Sequence, residues 1–300
     1  MGNFAIITGS DEKYFDILWS FIRSIKYFEE TRNVDCFVID AGLNQKQKEK
    51  LAELRVPAVE IGWGFSFIEG DLAKSLPQRV KCLTARPFLP DLFPGYNHYF
   101  WMDADTWIQS GKALQPFISA AGTADIAIVP ELHHLSDYLY DADSLPRTRH
   151  RHIYGLTYGP EIGHKLSMLP VHNAGVFAAR ADSPLWNRWR DEMGKAIVRS
   201  KILNCDQAAL NQLLYTRALT AARLPAEYNW VCSAIPPNWD GDRGVFVSPG
   251  PLPRRIQVMH ITGAALSQDL HDIPCHQGGI VSRSLLCPFP QVVLDSQPPS

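Results

Sequence analysis

Apolar and polar positions fall into blocks over the first sixty residues. Phe4-Ala5-Ile6-Ile7-Thr8 has the length and composition of a buried strand. After Gly9-Ser10-Asp11, apolar side chains recur at Tyr14, Ile17, Leu18, Phe21, Ile22 and Ile25, the spacing of one helical face. Cys36-Phe37-Val38-Ile39 predicts a second strand, Asn44 to Leu54 a charged second helix, and Val59-Glu60-Ile61 a short third strand. Strand and helix in alternation point to parallel βαβ units with right-handed crossovers, and so to an α/β fold.

Tyr96 to Met102 is aromatic and apolar enough for a central strand, and it stops abruptly at Asp103-Ala104-Asp105. Ile126 to Val129 is another buried strand. Residues 131–170 then break the rhythm with His, Asp, Arg and Tyr and no clear period, which reads as a functional loop region or small subdomain. Order returns at Asn173 to Phe177, with helices expected over Pro184 to Ser200 and Asp206 to Tyr215. A last strand, Ile256 to Met259, ends at His260. One domain over residues 1–270 is expected, followed by a Pro- and Gly-rich tail over 271–300. No internal repeat is seen.

Composition narrows the class. A hydrophobic fraction of 46% and an aromatic fraction of 11% supply a core and exclude disorder for most of the chain. Lys plus Arg number 29 against 31 Asp plus Glu, so no global field points to nucleic acid. No apolar stretch is long enough for a signal peptide or a membrane span. Cys36, Cys82, Cys205, Cys232, Cys275 and Cys287 include no C-x-x-C pair, which suggests reduced thiols and a cytoplasmic protein.

The candidate chemistry sits at strand ends, where open α/β sheets bind ligands. Asp103 and Asp105, leaving a buried strand, are oxygen ligands suited to Mg²⁺ or Mn²⁺, and such a cation can bridge a diphosphate. The competing reading is that both cap the turn after the strand. A second Asp-Ala-Asp, at Asp141 and Asp143, follows a much shorter apolar run and fits the sheet order less well. Phe100 to Thr106 also matches the hydrophobic-strand-D-x-D-x-T signature of haloacid dehalogenase-like phosphatases, with Asp103 as nucleophile. Those enzymes place that strand near the start of the core, whereas three strands precede it here. Their later acidic pair would have to be Asp240-Gly241-Asp242, which reads as a turn. His133-His134 lacks the ligand spacing of a metal site, and the basic tract Arg147, Arg149, His150, Arg151 and His152 reads as a solvated loop.

Several further segments, in order, resemble one family: the retaining, GT-A-fold glycosyltransferases that include glycogenin, galactinol synthase and bacterial lipopolysaccharide glucosyl- and galactosyltransferases. The resemblance runs in scattered motifs from Phe4 to Gly263. Ile6 to Asp11 and Tyr14 resemble the first strand and loop, which implies that Thr8, Gly9, Asp11 and Tyr14 hold a uridine. Ala85-Arg86 with Phe88-Leu89-Pro90 resembles the Arg-bearing segment before the D-x-D. Asp103, Ala104 and Asp105 match the D-x-D itself. His172-Asn173-Ala174-Gly175-Val176 resembles the N-A-G-V segment beside the donor sugar, which implicates Asn173 and Ala174. Asp206-Gln207 with Leu210-Asn211 resembles the D-Q-x-x-L-N segment near the anomeric carbon and makes Asp206 and Gln207 the expected catalytic pair. Leu224-Pro225 and Tyr228-Asn229-Trp230 resemble the L-P…N turn. His260 and Gly263 match the start of H-x-x-G, whose His is the third metal ligand.

The resemblance implies a Rossmann-like, mostly parallel sheet flanked by helices, with a donor-binding half over about 1–130 and acceptor-shaping and late motifs over about 131–270. It further implies a hexose moved from a UDP-linked sugar, with retention and with Mn²⁺ or Mg²⁺, to a glycan, lipid-linked, protein or small-molecule acceptor. Local readings compete at some positions. Asn204 and Gln207 suit a capping box for the helix that follows, Gly175 suits a close backbone approach, and a lone His after a strand is commonly a core residue. The chain departs from the family after Gly263, where Ala264-Ala265-Leu266 stands in place of the Lys-Pro-Trp that grips the diphosphate. Pro87 after Arg86 disturbs a helix unless it lies in the first turn. Arg79, Lys81 and Arg86 are the candidate replacement cations, and a non-catalytic nucleotide-sugar-binding relative is the remaining alternative.

Overall fold

Most of these apolar runs become strands of one sheet in a computed structural model that describes residues 3–135, 141, 145–262 and 270–291. The strands are β1 (Phe4–Ser10), β2 (Asp35–Asp40), β3 (Ala58–Val59), β4 (His98–Met102), β5 (Thr106–Ile108), β6 (Ile126–Pro130), β7 (His172–Arg180) and β8 (Ala221–Arg223). All but β5 form a seven-stranded sheet in the order β3-β2-β1-β4-β7-β6-β8. Pairing is parallel except at β7, which runs antiparallel to both β4 and β6. The carboxyl ends of β1, β4 and β6 therefore meet the amino end of β7 along one edge.

Alternation along the strands sorts the core into two layers. Phe4, Ile6, Val38, Phe100 and Met102 pack on α1 (Phe15–Tyr27) with the short α2 (Glu29–Arg32) beside it, on α3 (Gln45–Glu53), and on a helix at Gln115–Ala121. Asn44 caps α3 with a reciprocal box through Gln47. The opposite face, with Ala5, Ile7, Tyr99, Trp101 and Phe177, packs on later helices. Before β4 come α4 (Gly70–Ser75), α5 (Val80–Ala85) and α6 (Leu89–Leu92), and the helix at Gln115–Ala121 is α7. Arg86 ends α5, and Pro87 lies in the first turn of the 3₁₀ segment that follows, where its missing N–H costs nothing.

The stretch after β6, read as a functional loop region or small subdomain, carries regular structure despite its lack of period. It holds a helical hairpin, α8 (Leu145–Tyr158) and α9 (Pro160–Ser167). The inward positions of α8 keep helical spacing (Arg147, His150, Arg151, Tyr154, Thr157, Tyr158) but are mostly polar, so hydrophobic periodicity is silent. The basic tract is thus helical rather than a loop, with Arg147, His150 and Arg151 turned inward and Arg149 and His152 exposed. Packing against it is α10 (Leu185–Ser200), where Glu192 accepts the Tyr158 hydroxyl at 2.9 Å, and α11 (Asp206–Tyr215) follows.

A second sheet orders β5 beside β12 (Val258–His260) and β9 (Trp230–Val231). Hairpins β10–β11 (Asn238–Asp240, Val245–Val247) and β13–β14 (His271–Pro274, Ile280–Arg283) complete that end. Asp240 and Asp242 belong to the β10–β11 turn, with the Arg243 amide donating to the Asp240 carboxylate. Phe289 stacks on Tyr27 at 4.3 Å, and Arg23 donates to the carbonyls of Cys287 and Phe289, which ties this segment to α1. All six cysteines are free. Among the described residues no helix is long and apolar enough to cross a membrane.

Candidate metal and donor site

The chain changes sheets at the Asp-Ala-Asp segment. Thr106 closes a tight turn by donating both its amide and its hydroxyl to the Asp103 carbonyl, so β4 and β5 meet at a corner. The second sheet brings β12 to the same corner, because His260 pairs with Thr106 and the Ile261 amide donates to the Asp105 carbonyl. Asp103, Asp105 and His260 consequently present ligand atoms that all lie within 4.8 Å of one another. His260 Nε2 stands 3.3 Å from Asp105 Oδ1 and 3.9 Å from Asp103 Oδ2.

The Asp103 carboxylate does not cap the turn. Its Oδ1 accepts from Trp101 Nε1 at 2.6 Å and from Arg86, which leaves Oδ2 turned toward His260. Burial pushes the Asp103 carboxyl above the ordinary range; Arg86 opposes this and Asp105 adds to it. Burial works against a charged His260, but Asp105 and then Asp103 outweigh it and raise its pKa. Two oxygens and one imidazole, one ligand atom each, suit Mn²⁺ or Mg²⁺ with positions left for phosphate and water. Gly175 keeps the space between these groups open. A Cβ there would lie 2.6 Å from Asp103 Oδ2, 2.6 Å from His260 Cε1 and 2.8 Å from Asn173 Oδ1. The donor set and this cradle fit a divalent cation.

Beside this cluster lies a cleft of about 210 Å³, walled by Gly9, Ser10, Asp11, Tyr14, Arg79, Cys82, Arg86, Trp101, Asp103, Ala104 and Asp105, among others. Most of the donor-side residues read from the sequence are therefore brought together. At Gly9 a Cβ would lie 2.4 Å from Cys82 Sγ, so only glycine lets α5 come this close to β1. Asp11 Oδ1 accepts the Tyr14 amide at 3.1 Å and shapes the loop after β1. Thr8 departs from expectation: it is wholly buried, its hydroxyl has no partner, and it lies behind the wall.

Arg86 joins this cluster to α11. Its two terminal nitrogens bond Asp103 and Asp206, and its guanidinium lies 4.9 Å from the Trp101 ring centre. Burial disfavours its charge, yet Asp103 and Asp206 more than offset that and raise its pKa. Asp206 is 4% exposed, and its carboxylate is paired with Arg86. The expected capping box is absent: Cys205 is the N-cap and no side chain caps. Gln207, partly exposed, instead accepts the Ala174 amide at 2.9 Å. Ala174 itself is wholly buried. Asn211 clamps β7 by accepting the His172 amide and donating to the His172 carbonyl. Burial, then Arg223, pushes His172 down to about 4, so it is a neutral strut.

Asn173 was expected against a sugar, but its amide is engaged inward. Nδ2 donates to Glu131 at 2.7 Å, while Oδ1 accepts from the Gly175 amide at 2.8 Å and from Asn229 Nδ2 at 3.1 Å. Asn229 Oδ1 meets His260 Nδ1 at 2.8 Å, and His150 of α8 reaches Glu131 at 3.6 Å. Glu131 and His150 escaped sequence reasoning because no period marks them; Asn229 carried only the L-P…N signal. The rings of His133 and His134 meet at a tilt with centres 4.1 Å apart, and His133 packs edge-on to Trp230. Gly263 lies outside the described residues, as does Asp143. Asp141 is exposed. Among the described residues the Asp103 cluster is the one candidate metal group.

No protein-family model and no curated protein matches the sequence. Solved structures do. The galactosyltransferase LgtC, in complex with donor and acceptor sugar analogs, superposes with a TM-score of 0.54 at 14% identity, over 87% of this chain and 88% of LgtC. The bifunctional glycosyltransferase WbbM gives 0.57 at 16% identity, over 87% of this chain and 46% of WbbM. The glycosyltransferase GlyE of Streptococcus pneumoniae TIGR4 gives 0.50 at 14% identity, over 93% of this chain and 57% of GlyE. The chain has the GT-A-like fold of these proteins.

Proposed function

We propose that this chain, built on a GT-A-like fold, is a retaining glycosyltransferase that moves a hexose from a UDP-linked sugar to an acceptor with the help of Mn²⁺ or Mg²⁺. The observation that carries the reading is the meeting of Asp103, Asp105 and His260 at the mouth of the cleft walled by Gly9 to Tyr14. Retention and the choice of uridine follow from the sequence motifs. That LgtC is described with donor and acceptor sugar analogs supports the substrate class.

Asp103 Oδ2, Asp105 and His260 Nε2 would hold the cation, which supplies Lewis-acid stabilisation of the departing nucleoside diphosphate when bound. Asp11, with the backbone of Gly9 and Ser10, faces the base and ribose. Arg86 also lines the cleft, but each of its terminal nitrogens is already on a carboxylate, so a second, open cation is needed to grip the diphosphate. Arg79 fits: it is exposed on the cleft wall and makes no ion pair with any described residue. A guanidinium there takes the role of the missing Lys-Pro-Trp clamp by charge-assisted bonds to the diphosphate. Gln207, fixed by the Ala174 amide, is the member of the expected catalytic pair able to face the sugar. In this reading its side-chain carbonyl, which accepts the Ala174 amide, would oppose positive charge building at the anomeric carbon. Asp206 is a positioning residue that acts through Arg86. The phosphatase alternative gains nothing from the fold.

Calorimetric titration of UDP-sugars with and without Mn²⁺, followed by a slow donor-hydrolysis assay, tests the reading. Tight binding should require Mn²⁺ and vanish in Asp105→Ala. Arg79→Ala should weaken donor affinity by about tenfold, the scale of one charge-assisted bond, while Mn²⁺ affinity stays unchanged. Binding without any turnover would mark a non-catalytic relative. Indifference to every nucleotide sugar would remove the proposal.

A further inference from the structure

The direction of each hydrogen bond behind His260 can be read from one donor of fixed identity. The Gly175 amide can only donate, so the Asn173 atom that receives it is the carbonyl oxygen. The Asn173 NH₂ then faces Glu131, a carboxylate that can only accept when ionised. Because Asn173 Oδ1 accepts, the atom of Asn229 beside it is the NH₂ group. Asn229 must therefore offer its own carbonyl oxygen to His260 Nδ1, and that nitrogen must carry hydrogen. Asn173 and Asn229 are 8% and 4% exposed, so water does not compete for these groups.

We propose that Asn229, anchored through Asn173 to Glu131 and to the Gly175 amide, fixes the neutral His260 ring as the Nδ1–H tautomer and aims its Nε2 lone pair at the gap shared with Asp103 and Asp105. These are positioning residues, and the inference rests on the cation reading above. A neutral imidazole offers one lone pair, and its other nitrogen decides which way that pair points. Without the relay, the Asp105 and Asp103 carboxylates that face Nε2 would favour hydrogen there, and the lone pair would no longer point into the gap. The relay also gives Asn173 and Asn229 a purpose inside the protein, in place of contact with a sugar. Through His150 it reaches α8, so the helical hairpin is mechanically joined to the metal cluster.

Two readouts test this. Nitrogen-15 NMR of the histidine rings in the metal-free protein, taken at a pH where His260 is neutral, should show hydrogen on Nδ1. In Asn229→Leu the same ring should show a mixture or the opposite tautomer. Mn²⁺ affinity by EPR should fall about 10- to 100-fold in Asn229→Leu, the range of outer-shell losses. In Asn229→Asp the carboxylate still accepts from Nδ1 but loses the donation to Asn173 Oδ1, so hydrogen should stay on Nδ1 and Mn²⁺ affinity should fall less than in Asn229→Leu. Hydrogen on Nε2 in the wild type would overturn the proposal. So would unchanged Mn²⁺ affinity in the folded fraction of Asn229→Leu. Failure of the wild type to bind Mn²⁺ would count against the cation reading, while the ring spectrum would still decide the relay.

Discussion

Arg86→Met is expected to cost the folded protein about 3–5 kcal/mol, because it removes a cation that pairs two carboxylates in the interior. Asp206 is nearly unexposed, and it would be left charged with its main partner gone. Methionine restores volume but no donor, so the cost is electrostatic rather than a cavity. The double variant Arg86→Met with Asp206→Leu should regain part of that stability, since removing both members of a buried pair is far cheaper than removing one. It should regain no activity, because Asp103 Oδ1 would keep Trp101 Nε1 but still lack the Arg86 charge that helps set its direction. Urea denaturation followed by circular dichroism gives the answer. A loss under about 1 kcal/mol for the single variant would mean that the three groups do not form the buried pairing described.

Gly175→Ala should do the opposite, sparing stability and damaging the site. The added methyl would stand 2.6 Å from both Asp103 Oδ2 and His260 Cε1, too close for either to stay in place. The carboxylate end can swing aside, but the imidazole is held by Asn229, so the ligands must separate. Divalent cations of the Mg²⁺ type tolerate little departure from octahedral geometry. Donor turnover should fall on the order of 100-fold, the scale of a misplacement near 1 Å, with Mn²⁺ affinity falling in parallel. Wild-type affinity for Mn²⁺ in Gly175→Ala would show that the cation does not sit in this cradle.

The legible parts of the fold were those where burial writes a period into the chain. The first strands, the amphipathic α1 and the strand leading to Asp103 all carry one. The antiparallel direction of β7 was invisible, because a strand buried on both faces reads alike in either sense. The α8–α9 hairpin was missed because Arg147, His150 and Thr157 fill inward positions that pattern reading reserves for apolar residues. At the site, motif order identified the residues that converge, and strand ends explained why. Motifs could not separate a residue whose side chain meets the ligand from one that supports another. Thr8 and Ala174 are buried, Asp206 serves Arg86, and Asn173 serves Asn229. Each of these distinctions depends on partners far apart in sequence, such as Glu131 with Asn173.

The central claim is that one cation sits among Asp103, Asp105 and His260, and anomalous diffraction from crystals grown with Mn²⁺ and UDP addresses it directly. A single strong peak is expected at about 2.0–2.2 Å from Asp103 Oδ2, Asp105 and His260 Nε2, with phosphate oxygens completing the shell. Well-ordered UDP in the cleft with no peak at that corner, or with the peak on other ligands, would contradict it.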